Sequence, residues 1–322
     1  MHVIKTGSVK TYIKGTAGCR FRHYRIRYGQ RLVGAVIAFL LLICLSGCTG
    51  MPPVSTDVPF QCSVADVRWH TLYPGIEVAD LYDSRLPLIA HAVKIDLRNP
   101  SVAVVVSEPD LFKNTEGCVR GETTLSFALR HNTIVAFNAA PFKTNSVLFG
   151  KYRTVVGIHI ADFRRMSMPN IRYGALLFYA DGKAGIIDSQ SESALPADVR
   201  YAVSGFWTIL RDGSVLPQKL QRRDSRTAVG VADGGKKLFI VAVEGENKRK
   251  SQGLSYEETA VLMQALGASD ALQLDGGSSG TLVLQENGTQ RIIAPSIGWH
   301  PLIRVATSAG IIYTGQTAPM QE

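Results

Sequence analysis

From residue 93 onward apolar and polar positions alternate with the two-residue period of half-buried strands. Val93, Ile95 and Leu97 alternate with Lys94 and Asp96, and Arg98-Asn99-Pro100-Ser101 then turns the chain into the apolar run 102–106, a strand-turn-strand pattern. Residues 134–137 form a short apolar strand ending at Asn138. Three further strand pairs flank turn residues: 176–180 and 184–187 around Asp181-Gly182, 229–232 and 238–243 around Asp233-Gly234-Gly235, and 281–285 and 291–293 around Asn287-Gly288. Asp or Asn followed by Gly supplies the positive φ that tight hairpins require.

Two segments switch to helical spacing. Ser255 and Glu258 form a capping box that opens a helix over 256–266, with Ala260, Met263 and Leu266 on one stripe and Gly267 as the residue that closes it. Thr124 is placed to cap a second helix over 125–131. Each helix precedes a short strand that ends in a polar residue, Asn138 after the first and Asp275 after the second. The expected fold class is therefore α+β: a largely antiparallel mixed sheet covered by a few helices, in a single domain over 64–322.

Composition changes this picture only at the N-terminus. With 46% hydrophobic and 19% charged residues, the 322-residue chain has the make-up of a globular protein. Its formal charge of +9 comes from 35 basic and 26 acidic residues. Eight of the basic residues, from Lys5 to Arg31, precede Cys48 in a stretch without Asp or Glu. The remainder carries 27 basic against 26 acidic residues, which removes the electrostatic case for a nucleic-acid partner. The basic stretch leads into a 14-residue apolar run, 32–45, followed by Ser46-Gly47-Cys48. A helix of that length rises about 21 Å against a hydrocarbon core of roughly 30 Å, so a signal h-region fits better than a membrane span.

The segment Leu45-Ser46-Gly47-Cys48 resembles the lipobox of a bacterial lipoprotein signal. The resemblance implies that 1–47 is a signal peptide and that Cys48 becomes the lipidated first residue, anchoring the chain to the membrane. A plain secretory signal or an uncleaved anchor is the alternative. Thr49, which is not Asp, favours the outer membrane by the rule known for such signals, with the protein on the periplasmic face of the cell envelope. Residues 48–63 are rich in Pro and small polar residues and read as a flexible tether. Cys62 and Cys118 are then the two unlipidated cysteines of the mature chain; one disulfide between them, or two free thiols, fits an oxidising compartment.

Polar residues at strand ends are the candidates for chemistry. Leu274-Asp275-Gly276-Gly277-Ser278-Ser279 puts a carboxylate where a buried strand gives way to a Gly-rich turn whose backbone N–H groups could approach an anion. Taken by itself an Asp-Gly at a strand end is an ordinary turn. Arg226 enters the strand Arg226-Thr227-Ala228-Val229-Gly230 and could be a surface charge or a planar fork for phosphate. Glu244 follows the apolar run 239–243 and precedes Gly245, a position usual for a solvated turn residue. Asn138 could be a turn former or an orienting amide. His70, His91, His131 and His159 show no ligand spacing, so nothing in the sequence calls for a metal or another cofactor.

Taken in order, a strand-terminal Asn, an Arg-Thr-Ala-Val-Gly strand, a strand ending Val-Glu-Gly, a capped helix and Leu-Asp-Gly-Gly resemble the phosphodiester glycosidase family. The likeness covers about His91 to Tyr313. It departs from the family pattern at Asn138-Ala139-Ala140, at Glu244 and at Ser204-Gly205-Phe206-Trp207. The resemblance implies hydrolysis of a sugar-1-phosphodiester or phosphoglycan to free sugar and phosphomonoester. On that reading Asp275 activates water or attacks the anomeric carbon, Arg226 holds the diester phosphate, Glu244 is the second carboxylate and Asn138 orients sugar or nucleophile. Gly276, Gly277 and Ser278 would contact phosphate or sugar, with Arg304 as a second phosphate contact and His300 as a weaker candidate. The competing expectation is a non-catalytic envelope lipoprotein that binds glycan or assists polysaccharide assembly.

Overall fold

The computed structural model describes residues 67–83, 86–108, 116–144, 151–191, 195–295 and 302–315. The chain divides into two units, Met1–Asp57 and Val58–Glu322, and the described residues all belong to the second. The proposed signal peptide, the lipidation residue Cys48, the tether, Cys62 and His300 lie outside the described residues.

Four sheets make up the domain, and every strand pairing among the described residues is antiparallel. The largest has eight strands, in the spatial order His70–Tyr73, Ile76–Asp83, Leu88–Asp96, Lys237–Val243, Arg226–Ala232, Asp270–Gln273, Thr208–Arg211 and Ser214–Val215. A second sheet of five strands centres on Val199–Ser204 and Ala175–Tyr179. A third, also of five, holds Val135–Asn138 between Leu282–Glu286 and Ser308–Tyr313. A three-stranded sheet built on Tyr152–Val155 completes the set.

The largely antiparallel pairing is as expected, while the single sheet under a few helices is corrected to four sheets. Two α-helices occur among the described residues, α1 (Thr124–His131) and α2 (Tyr256–Ala265), and each covers part of one sheet. Phe127 and Ala128 of α1 pack on Ala136 and Val283 of the third sheet. Tyr256, Ala260 and Met263 of α2 pack on Ala228, Val241 and Ala271 of the large sheet. The opposite face of the large sheet, through Val93, Val229, Ile240 and Leu272, meets Phe137 and Leu282 of the third sheet and Leu176 and Phe178 of the second. With apolar layers on both faces, Arg226–Ala232 is buried at every position. A strand buried on two faces reads as a continuous apolar run rather than an alternation, which accounts for residues 239–243.

Local signals set the ends of the elements. Ser255 accepts from the Glu258 N–H at 3.2 Å and Glu258 Oε2 accepts from the Ser255 N–H at 2.8 Å, the expected capping box. At the other end Gly267, at φ +101°, donates to Gln264 O while Ala268 donates to Met263 O, both at 3.0 Å. These two bonds close a Schellman motif. The cap of α1 is Thr123, one residue before the expected Thr124; its hydroxyl accepts from the Ser126 N–H at 3.1 Å. Asn287 and Gly288, both at positive φ, join the paired residues Glu286 and Thr289 in the expected two-residue hairpin. The strands on either side of residues 98–101 both form, but they do not pair with each other. Leu88–Asp96 joins the large sheet and Val102–Val106 joins the third, so this turn carries the chain between layers.

Candidate active site

Asn138 closes its strand at zero exposure. Its Nδ2 donates to the Asp275 carbonyl at 2.7 Å, and its Oδ1 accepts from Thr227 Oγ1 at 3.0 Å and from the Thr281 N–H at 2.9 Å. One side chain thereby ties the Asp275 loop, the Arg226 strand and the segment after the loop to the third sheet. The Asp275 N–H adds a bond to Ala139 O at 3.0 Å. An amide carries two donor hydrogens and an acceptor oxygen, and here they are spent largely on the protein itself. The residue acts on the site by fixing where Asp275 stands.

Asp275 follows the buried strand Asp270–Gln273 and is itself half-buried. Burial raises its pKa to about 6, against the opposing pull of the Ser279 hydroxyl and the Gly276 N–H, which both bond its carboxylate. The loop beyond it is knitted inward: Gly277 N–H donates to Ser225 O at 3.0 Å, Ser279 N–H to Gly276 O at 3.2 Å and Gly280 N–H to Gly277 O at 3.0 Å. The expected cradle of backbone donors from Gly276 and Gly277 is therefore corrected, because those N–H groups already have partners. The glycines serve close packing instead: a Cβ at Gly276 would lie 2.8 Å from Ser225 O, and Gly277 sits at φ +58°. Ser278 is exposed and lines the pocket described below.

Arg226 is 6% exposed. Its Nε donates to Leu254 O at 2.8 Å, its Nη2 donates to Arg222 O at 2.5 Å, and its Cζ stands 4.4 Å from the centre of the Tyr256 ring. Burial lowers its pKa, yet a guanidinium stays charged in a protein. Among the described residues no carboxylate pairs with it. Asp224 and Glu258 attract the charge without a direct ion pair, and the ring face of Tyr256 adds to that attraction.

Glu244 is 4% exposed, one residue beyond the strand Lys237–Val243. Its Oε1 lies 3.4 Å from His91 Nε2, and His91 Nδ1 lies 2.6 Å from Asp80 Oδ1. Burial works against the imidazolium, but the bonds to Glu244 and Asp80 outweigh it and raise the His91 pKa. The Asp80 side chain is 52% exposed, so the row Glu244, His91, Asp80 runs from the interior to solvent. The sequence reading missed this row. Its signal was a lone histidine in the otherwise apolar stretch Ala90-His91-Ala92, and its partner became visible only through the strand register that sets Asp80 opposite His91.

A pocket joins part of this set. Arg226, Glu244, Gly277, Ser278 and Thr281 line it together with Ala294 from the third sheet. Asn138 and Asp275 are not among its lining residues; the first ties Thr281 and Thr227 behind it, and the second stands at the start of the loop whose next residues form its wall. Asp275 and Arg226 both act on Tyr256, whose own pKa burial raises, with the Arg226 charge opposing and the Asp275 charge assisting. Arg304 is exposed, donates to Gly121 O at 3.2 Å and sits beside Arg153; it is not among the residues lining this pocket. Cys118 is a buried free thiol, which fits the free-thiol alternative rather than the bridge; Cys62 lies outside the described residues. Among the described residues no three His, Cys, Asp or Glu side chains are grouped to hold a metal ion.

The phosphodiester glycosidase family model matches residues 131–312, 182 of the chain's 322 residues. The chain belongs to the phosphodiester glycosidase family. A search of curated proteins finds no match. Among solved structures, a hypothetical protein from Synechocystis superposes with a TM-score of 0.58 at 16% identity, over 80% of this chain and 64% of that one. The present chain thus spans about two thirds of the Synechocystis protein. The catalytic domain of zebrafish N-acetylglucosamine-1-phosphodiester alpha-N-acetylglucosaminidase, auto-inhibited by its pro-peptide, superposes with a TM-score of 0.56 at 20% identity, over 77% of this chain and 87% of that one. A protein from Burkholderia pseudomallei gives a TM-score of 0.53 at 16% identity over 70% of this chain and 74% of that one. At these identities the structural likeness establishes the fold.

Proposed function

We propose that this protein is an envelope-anchored hydrolase that cleaves a glycosyl phosphodiester at the bond between the anomeric carbon and oxygen. The observation that carries the proposal is Arg226, a buried guanidinium without a carboxylate partner among the described residues, lining a pocket. Such a cation, held in no direct ion pair, suits a phosphate diester. Three of the five guanidinium N–H donors have no partner among the described residues and remain for that contact.

The bookkeeping of the reaction follows from the groups present. Water adds through its oxygen to the anomeric carbon, and its proton passes to the Asp275 carboxylate. The anomeric carbon to oxygen bond breaks, and its electron pair leaves with the phosphomonoester, held by Arg226. A phosphate whose second pKa is about 6 departs without strong acid assistance. Asp275, with a pKa of about 6, is poised to accept and release a proton near neutrality. Glu244, bonded to His91, is the second carboxylate of the reaction, while Asp80 gives the imidazole a route to solvent. Asn138 positions Asp275 through its carbonyl.

Cys48 supplies the anchor in this proposal, placing the domain on the periplasmic face of the outer membrane. Since the remainder of the chain carries 27 basic and 26 acidic residues, charge gives it little independent affinity for a lipid surface. The full chain should sediment with membranes and Cys48→Ser should release it; sedimentation of Cys48→Ser with the membranes would contradict the anchor.

Activity is tested on the detergent-extracted full chain with a panel of sugar-1-phosphodiesters. Release of reducing sugar is expected, with a loss of about 10³-fold or more in kcat for Asp275→Asn and a comparable loss in kcat/KM for Arg226→Ala. Both variants should keep the parental circular dichroism spectrum. Binding of the panel with no sugar release would instead support the glycan-binding lipoprotein.

A further inference from the structure

Trp207 is 42% exposed although three other aromatic rings surround it. Its ring stacks on Phe206 at 5.4 Å between centroids and 25° between planes, and Tyr173 meets the pair edge-on at 5.4 and 5.9 Å. Tyr256 tilts against Trp207 at 5.7 Å and carries the Arg226 guanidinium 4.4 Å from its centre. The Tyr256 ring thus touches both Trp207 and the cation and links the aromatic cluster to Arg226.

Backbone bonds fix this cluster to the strand that delivers Asp275. Phe206 N–H donates to Gln273 O at 2.7 Å and Gln273 N–H donates to Trp207 O at 3.0 Å, two residues before Asp275. Gly205 makes the approach possible, since a Cβ there would lie 2.7 Å from Gln273 O and from the Leu272 side chain. Two donors in the cluster are unused: neither the Tyr256 hydroxyl nor the Trp207 indole N–H has a hydrogen-bond partner among the described residues, although Tyr256 is only 5% exposed.

We propose that this cluster is the subsite for the glycosyl ring, with the C–H face of a pyranose lying on Trp207, sugar hydroxyls bonding the indole N–H and the Tyr256 hydroxyl, and the anomeric phosphate reaching Arg226. The C–H bonds on one face of a pyranose carry slight positive charge, the complement of the negative face of an aromatic ring. The ligand class is a hexopyranose 1-phosphate, free or as its diester. The assignment rests on the reading of Arg226 as the phosphate contact, and it makes Trp207 a substrate-binding residue that takes no part in proton transfer.

The test is calorimetric titration of the full chain in detergent with glucose, galactose, mannose and N-acetylglucosamine 1-phosphates, and with inorganic phosphate. Trp207→Leu should weaken the best hexose 1-phosphate by about tenfold or more and leave inorganic phosphate unchanged, while Trp207→Phe recovers most of the affinity. In the unsubstituted protein the same ligand, but not inorganic phosphate, should shift tryptophan emission, a readout that does not depend on the variants folding. Binding of every hexose 1-phosphate unaltered by Trp207→Leu, or no binding and no emission change with any of them, overturns the subsite. Diester hydrolysis with an unaltered KM in Trp207→Leu removes the subsite and keeps the hydrolase. Trp207-dependent sugar binding without hydrolysis keeps the subsite and removes the hydrolase.

Discussion

Asp275 and His91 are both shifted upward, for opposite reasons but with the same sign of pH dependence in stability. Burial favours the neutral acid of Asp275, so the folded protein holds a proton that the unfolded chain gives up. Stability therefore falls as pH rises from about 4 to about 6, by on the order of 3 kcal/mol in all. His91 gains its proton through Glu244 and Asp80, and the stability this adds is present below the unfolded value near 6.5 and lost as pH rises through the higher folded value. For catalysis the proposal requires Asp275 ionised and His91 protonated. The pH profile of kcat/KM should rise through about pH 6 and fall again on the alkaline side as His91 loses its proton. In Asp275→Glu the acidic limb should move with the new carboxyl group. A profile that falls through pH 6 would make Asp275 a proton donor and contradict its role as base.

Between elements, the decisive contact is a single amide. Asn138 joins Thr227, Asp275 and Thr281, which lie 89, 137 and 143 residues away. Asn138→Ala would leave a buried hydroxyl, carbonyl and N–H without their partner, at a cost of about 3 kcal/mol. For a domain of this size that is a fall of roughly 6 to 12 °C in Tm. Thermal unfolding by circular dichroism checks it; a shift under about 2 °C would show that the clasp carries little energy. The elements themselves were largely legible. The Ser255 to Glu258 box, Gly267 and the Asn287-Gly288 turn are local signals whose geometry the chain obeys. The cap of α1 was off by one residue because Thr123 and Thr124 are equivalent as capping side chains, and only the bond to Ser126 separates them.

Assembly of the sheets was not legible, because an apolar alternation states which face is buried without stating against what. Leu88–Asp96 and Val102–Val106 look like a hairpin in sequence, yet they part into different sheets. The same blindness hid the row Asp80, His91, Glu244, which exists only because Leu88–Asp96 lies beside both Ile76–Asp83 and Lys237–Val243. Strand ends were informative: Asn138, Glu244 and Asp275 sit where apolar strands stop. Arg304 donates to Gly121 O, a contact that its late place in the chain does not announce.

At the scale of the whole molecule the proposed hydrolase works by acetal chemistry, rather than attack at phosphorus, beside Asp275 and Arg226. Hydrolysis of a sugar-1-phosphodiester in water enriched in ¹⁸O, with the products weighed by mass spectrometry, separates the two. Cleavage between the anomeric carbon and oxygen leaves the phosphomonoester free of label, which is the result expected for the full chain, together with its loss in Asp275→Asn. Label in the phosphomonoester would place the attack on phosphorus and contradict the account.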